Sequence, residues 1–277
     1  MSILKTNFDQ TVRQKFGKSL DALEKAFNLF GIDYYLIGAF VREVWTDHIP
    51  NLPDKRMTRD LDFAIYIREH TQFEALKNHL VENEKFIEHD EPYRLLTPER
   101  NIIDLIPFGG IEENNEVLLK GHKVVQLSVF GTREVTSKAL IIEGSFKVIT
   151  LPGLVVMKLI SGNENPGRGK DLEDFYYILL NYADIASDDL YLEQNLDLLE
   201  TCSEVRFAGA RLVAREMQPI LNESQELRMM VLTILTKHLG GFSFDDIDGM
   251  YEEIKPPDRQ ILRLKSVREL LDELKMS

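Results

Sequence analysis

The stretch Thr58-Arg59-Asp60-Leu61-Asp62-Phe63-Ala64-Ile65 constrains the fold more than any other part of the chain. As a strand it sends Leu61, Phe63 and Ile65 into a core, while Asp60 and Asp62 share the opposite side about 6 to 7 Å apart at Cα. Two acids crowded onto an otherwise buried strand repel one another and resist leaving water. They need positive charge between them, and a metal ion is the usual source. The same cost recurs at Asp104, inside the apolar run Asn101-Ile102-Ile103-Asp104-Leu105-Ile106. Three carboxylates on neighbouring strands suit two Mg²⁺ ions about 3.5 to 4 Å apart, one activating a hydroxyl and one orienting a triphosphate, which points to phosphoryl or nucleotidyl transfer. The plainer alternative leaves Asp60 at a turn, pairs Asp62 with Arg59 or Arg56, and faces Asp104 to water on a sheet edge.

Residues 5–30 place Phe8, Val12, Phe16, Leu20, Leu23, Phe27 and Phe30 three and four apart, the period of an amphipathic helix that Gly31 ends. From there to about residue 150, the runs YYLIG, LDFAIYI, RLLTPE, NIIDLIPF, KVVQLSV, ALIIEG and FKVITL read as strands, with helical patterns near 39–48 and 71–83. After Pro152 the pattern is helical almost throughout: LVVMKLIS, KDLEDFYYILLNY, and segments near 189–200, 204–218, 224–239 and 257–275. Gly162–Gly169 reads as a flexible loop. The expected fold class is α+β, a mixed sheet flanked by helices over residues 1–150 followed by a helical domain over 151–277.

Lys and Arg number 33 against 46 Asp and Glu, so the net charge of -13 opposes nonspecific binding to a polyanion and confines any nucleic-acid contact to a local patch. A single cysteine, Cys202, cannot build a disulfide framework or a cysteine zinc site. The six histidines never fall at metal-ligand spacing with one another. The opening MSILKTNFDQ lacks a basic-then-apolar leader, and the most apolar run, LPGLVVMKLI, is short and contains Lys158. A cytoplasmic location without membrane attachment is the expectation.

The segments Tyr35–Arg42, Thr58–Phe63 and Ile103–Phe108 resemble the minimal core of the DNA polymerase β-like nucleotidyltransferases. With Val156-Met157-Lys158-Leu159 and Arg168-Gly169-Lys170-Asp171-Leu172-Glu173-Asp174 added, the chain is similar to the AbiEii/AbiGii toxin branch over about residues 33 to 180. The resemblance implies a nucleotidyltransferase-like sheet, Mg²⁺ or Mn²⁺ as cofactor, an NTP substrate, and transfer of NMP to a hydroxyl of RNA (tRNA included) or protein. It implies a metal triad of Asp60, Asp62 and Asp104, with Asp104 as base, and triphosphate binding around Gly38 and Ala39 at a helix start, with Thr58 adding a hydroxyl. Lys158 would bind the triphosphate. The family pattern of Gly-Gly or Gly-Ser is Gly38-Ala39 here, which removes a side-chain phosphate donor, and His48–Lys55 reads as an inserted loop. A toxin role restrained by an antitoxin protein comes from the resemblance alone.

A charge within LVVMKLIS is unexpected unless it meets an anion, although a lysine stem can also snorkel over apolar surface. Arg168 and Lys170 sit on a glycine-flanked loop suited to closing over phosphates, and Asp171 and Asp174 share a helix face where they can hold Lys158 or Lys170. Arg42, one turn into the helix after Gly38, is a phosphate contact or an ordinary partner of Glu43 and Asp47. Two other readings stand beside the transferase: a noncatalytic module of the same fold that binds partner proteins, and metal-dependent phosphate-ester hydrolysis with the same acids.

Overall fold

The computed structural model describes residues 3–54, 58–143, 146–167, 169–254 and 256–276, so Arg56 and Arg168 lie outside the described residues. The structure is α+β and about 59% helical. It divides into two compact units, one of residues 3–48 and 58–150, the other of residues 49–54 and the chain from 151 onward.

In the first unit the aromatic stripe of the N-terminal segment folds as helix α1 (Ile3–Phe8), a π-helical turn (Asp9–Arg13) and α2 (Gln14–Phe30). Helix α2 stops where Gly31 takes the left-handed conformation, φ 61° and ψ 42°. There follow β1 (Tyr34–Ile37), α3 (Ala39–Thr46), β2 (Asp60–Ile67), α4 (His70–Glu82), β3 (Ile87–Glu88), β4 (Arg94–Leu96) and β5 (Ile102–Gly109). The unit closes with the hairpin β6 (Glu116–Lys120) and β7 (Val124–Ser128), then α5 (Thr132–Ser137), β8 (Leu140–Glu143) and β9 (Phe146–Val148). Among the described residues seven strands form one sheet in the order β3-β4-β5-β2-β1-β9-β8, and β6 with β7 forms a second. The pairs β2/β5 and β1/β9 are parallel and the other pairs antiparallel, so the sheet is mixed.

Strand alternation gives this sheet two unlike faces. On one, Tyr34, Phe63 and Phe146 pack against Phe27 of α2 and Phe8 of α1, with ring centroids 4.5 Å apart for Phe27–Tyr34 and 5.3 Å for Phe8–Phe146. Burying each such ring stabilises the fold by about 1.5–3 kcal/mol, which fixes which way the strands face. The acids are thereby held on the other face.

The second unit contains α6 (Leu151–Glu164), α7 (Gly169–Ile185), α8 (Ser187–Leu190), a 3-10 turn (Glu193–Asn195), α9 (Leu196–Thr201), α10 (Val205–Leu221), α11 (Gln225–His238), α12 (Phe244–Glu253) and α13 (Arg259–Met276). Arg211 of α10 lies 2.7 Å from Glu269 and 2.6 Å from Asp272 of α13, and Lys265 of α13 lies 2.6 Å from Asp248 of α12. Ion pairs this buried add little net stability over apolar packing of the same volume. Tyr177 donates to the Pro53 carbonyl at 3.0 Å, holding part of the expected inserted loop within this unit.

The elements differ from the sequence reading in identifiable places. The 189–200 segment is broken rather than continuous, and the Asn195 side chain donates to the Asp189 carbonyl at 2.8 Å across the break. The Gly162–Gly169 loop is shorter than expected, because α6 runs on to Glu164; a Cβ on Gly162 would stand 2.8 Å from Leu172 Cδ2, so glycine there lets α6 and α7 approach closely. Strand β6 and helices α5 and α12 were not expected; α12 carries a Ser243–Asp246 capping box that the sequence displays. Among the described residues no helix is long and apolar enough to cross a membrane.

Candidate functional site

Register decides which side chains meet. In the parallel pair β2/β5, Asp62 stands opposite Asp104 and Asp60 opposite Ile102. On the outer side of β5, antiparallel β4 places Arg94 opposite Asp104, and on the other side of β2, antiparallel β1 places Ile37 opposite Asp62. Arg94, Asp104, Asp62 and Asp60 therefore share one face, while Leu61, Phe63, Leu95, Ile103 and Leu105 alternate onto the other and are fully buried. Asp104 is buried, whereas Asp60 and Asp62 remain half-exposed.

The turn from β1 into α3 closes the site. Gly38 has φ 72° and ψ -163°, a conformation essentially reserved for glycine, and α3 starts at Ala39. A Cβ on residue 38 would stand 2.1 Å from Asp62 Oδ2, 2.7 Å from its Cγ and 2.9 Å from its Cβ. Glycine is required twice over, by the backbone and by the carboxylate against it. Thr58, just ahead of β2, accepts from Lys15 Nζ through its carbonyl at 3.3 Å. Arg42 is 1% exposed, with its guanidinium 3.8 Å from Glu43, so the phosphate contact considered for it has no open path and its setting is that of an interior ion pair.

Arg94 is the functional residue that the sequence reading missed. Its Nε donates to Asp104 Oδ1 and its Nη2 to Asp104 Oδ2, each at 2.7 Å, a two-pronged clamp matching the guanidinium fork. Nη2 also lies 4.0 Å from Asp60 Oδ2. The hydrogen bonds to Asp104 raise the Arg94 pKa above its ordinary value, so the guanidinium is a permanent charge. The signal available beforehand was Asp104 itself: a buried acid needs a cation, and Arg94 opens the neighbouring strand-like run RLLTPE.

The clamp adds a cation beside the expected acids: Asp60, Asp62 and Asp104 come to one sheet face, with Arg94 on Asp104. Each Asp104 oxygen accepts one Arg94 N–H and keeps its second lone pair. Among the described residues no group of three or more His, Cys, Asp or Glu side chains is placed to hold a metal ion. Asp60 and Asp62 share one strand face, and Asp62 lies against the Gly38 turn.

The remaining candidates lie in the helical unit. Lys158 on α6 is buried, and its Nζ stands 2.7 Å from Asp171 Oδ1 and 3.0 Å from Asp174 Oδ2 on α7. Ser161 donates to Asp171 Oδ2 at 3.0 Å. The ammonium is thus held by two carboxylates of its own unit, both of them nearly fully buried. Lys170, on the first turn of α7, is exposed. No protein-family model, curated protein or solved structure matches the chain.

Proposed function

We propose that this protein is a divalent-metal-dependent nucleotidyltransferase that moves NMP from an NTP to a hydroxyl of RNA or protein and releases pyrophosphate. The observation that carries the reading is the fit between Asp62 and Gly38, which brings a carboxylate pair and a glycine turn at a helix start into one place. Asp60 and Asp62 would hold the ion, and a bound Mg²⁺ supplies charge neutralisation and orientation of the phosphates. The first turn of α3, opening directly after Gly38, would offer its backbone amides to a phosphate chain. A nucleotide-binding role for Lys158 rests on the sequence resemblance alone. The AbiEii/AbiGii-like toxin role and an antitoxin partner rest on the sequence resemblance, and a cytoplasmic setting on the single cysteine and the amino-terminal composition.

The test is transfer of label from each of the four α-³²P NTPs, with Mg²⁺, to mixed RNA and protein acceptors. Labelled acceptor is expected with the native chain and none with Asp62→Asn, which keeps the shape and removes the charge. Absence of transfer with all four nucleotides would refute the enzyme reading. A noncatalytic binding module draws on the Arg94–Asp104 clamp, which supplies part of the acids' counter-charge from the chain itself. It predicts nucleotide binding that does not change when Mg²⁺ is withdrawn, measured by calorimetry.

A further inference from the structure

We propose that Tyr35, Tyr66 and Phe108, rimmed by side chains of α5, form a cup that takes one base of a single-stranded RNA. The inference rests on the transferase reading and deepens it by choosing RNA as the acceptor.

Register sets the cup's place. Tyr66 of β2 and Phe108 of β5 are direct partners, four residues beyond the partners Asp62 and Asp104 on the same strands, and Tyr35 of β1 stands opposite Ala64, between Asp62 and Tyr66. Strand side chains alternate, so all three rings leave the face that carries the acids, with Tyr66 and Phe108 about 13 Å further along it. Arg133, Thr136 and Ser137 of α5, with Asp33, complete the lining of a cavity of about 250 Å³.

The rings are held in position by their neighbours. Gly109 has φ 105°, and a Cβ there would stand 2.5 Å from Tyr66 Cε2, so only glycine leaves the ring its place. Phe108 meets Tyr66 edge to face at 5.7 Å and Tyr35 at 6.1 Å between centroids. Lys147 Nζ lies 4.8 Å from the Tyr35 centroid and 2.6 Å from Asp33. Tyr35 and Tyr66 nevertheless stay half-exposed, which offers a planar ligand ring surface that is already ordered.

The rim selects among planar ligands. Lys147 and Arg133 are paired with Asp33 and Glu112, so the cup brings no spare positive charge and recognition falls to stacking, which any base can supply. Thr136 and Ser137 donate their hydroxyls to backbone carbonyls and keep lone pairs as acceptors, while the Arg133 guanidinium has more N–H groups than Glu112 uses. Donors and acceptors around a ring-sized apolar floor match the edge of a base, whereas a hydrocarbon ring would leave them facing nothing. The volume lies below the roughly 300–1,000 Å³ of sites that enclose a whole drug-sized ligand, so a base enters and its sugar-phosphate chain stays outside.

Fluorescence anisotropy of a fluorescein-labelled single-stranded RNA oligomer, titrated with the full chain in the absence of NTP and divalent ions, tests the cup apart from catalysis. The native chain is expected to bind, Tyr66→Phe to bind equally well, and Tyr66→Ala to bind about 5- to 100-fold more weakly, the loss of one stacked base. Ser137→Phe fills the cup from an exposed position on α5 and is expected to weaken binding to a similar degree, which keeps the test decisive should Tyr66→Ala fail to fold by circular dichroism. Equal affinity of the native chain, Tyr66→Ala and Ser137→Phe, or no binding by the native chain, would overturn the inference, and label transfer to protein acceptors would then leave the transferase reading standing. Mononucleosides that displace the oligomer at equal concentration would overturn RNA as the source of the base. Cup-dependent RNA binding without label transfer would uphold the cup and refute the transferase.

Discussion

Replacing Gly38 with alanine tests whether the turn and the carboxylate form one device. The backbone at φ 72°, ψ -163° costs a residue with a Cβ about 1–3 kcal/mol. The new methyl would also stand 2.1 Å from Asp62 Oδ2 and 2.9 Å from Asp62 Cβ, so rotating the carboxylate relieves only part of the overlap, and overpacking of this kind costs about 1–3 kcal/mol more. The expected loss is about 2–6 kcal/mol, the sum of those two ranges. The chain's one tryptophan makes the measurement specific: Trp45 lies on α3, seven residues beyond the turn, and donates to the Ile149 carbonyl at 3.0 Å, so its fluorescence in urea reports unfolding of this unit. A double-mutant cycle separates the two costs. Asp62→Ala removes the two nearest atoms, so Gly38→Ala should cost about 1–3 kcal/mol less in that background. Equal costs with and without the Asp62 side chain would show that the carboxylate does not rest on the turn, and a loss under about 0.5 kcal/mol in both backgrounds would refute the backbone argument as well.

In the helical unit, Lys158→Met takes the Lys158 cation away from buried Asp171 and Asp174 and is expected to cost about 3–5 kcal/mol in far-ultraviolet circular dichroism melts. Adding Asp171→Asn and Asp174→Asn should recover most of that loss, and a Lys158→Met protein as stable as the native one would refute the pairing. Burial raises the Glu216 pKa above its ordinary value, and Tyr182, whose own pKa burial also raises, hydrogen-bonds to it. A raised carboxylate pKa means that the fold favours the protonated acid, so the stabilisation is complete below the ordinary glutamate range and is lost as pH rises through the shifted value. Glu216→Gln should therefore gain stability relative to the native chain between pH 4 and pH 8, and a difference that stays flat over that range would contradict the shift.

Much of this architecture is legible in the residues because it follows from periodicity. The Phe8-to-Phe30 stripe, the alternation of Leu61, Phe63 and Ile65 with acids, and Gly31 as a stop all act within a few residues of chain, where helix and strand geometry leave few options. The elements that escaped are short or depend on distant partners. Strand β6 exists because Glu116–Lys120 pairs with Val124–Ser128, and its burial alternates exposed and buried residues in only a five-residue span, too little to separate from a loop by pattern. The break at Asn195 depends on a side chain reaching six residues back to the Asp189 carbonyl.

The carboxylate cluster divides along the same line. That Asp60 and Asp62 share a face follows from a period of two, and that they adjoin Asp104 follows once β2 and β5 are neighbours in parallel register. A buried acid announces only that positive charge is near, and a divalent ion and a guanidinium answer that need equally well. Choosing between them requires the β4/β5 register: a shift of one residue would turn Arg94 to the opposite face, where Leu95 packs, and leave Asp104 needing a metal. The two answers also differ in consequence. A guanidinium travels with the chain, so β4, β5 and β2 can assemble with Asp104 already neutralised.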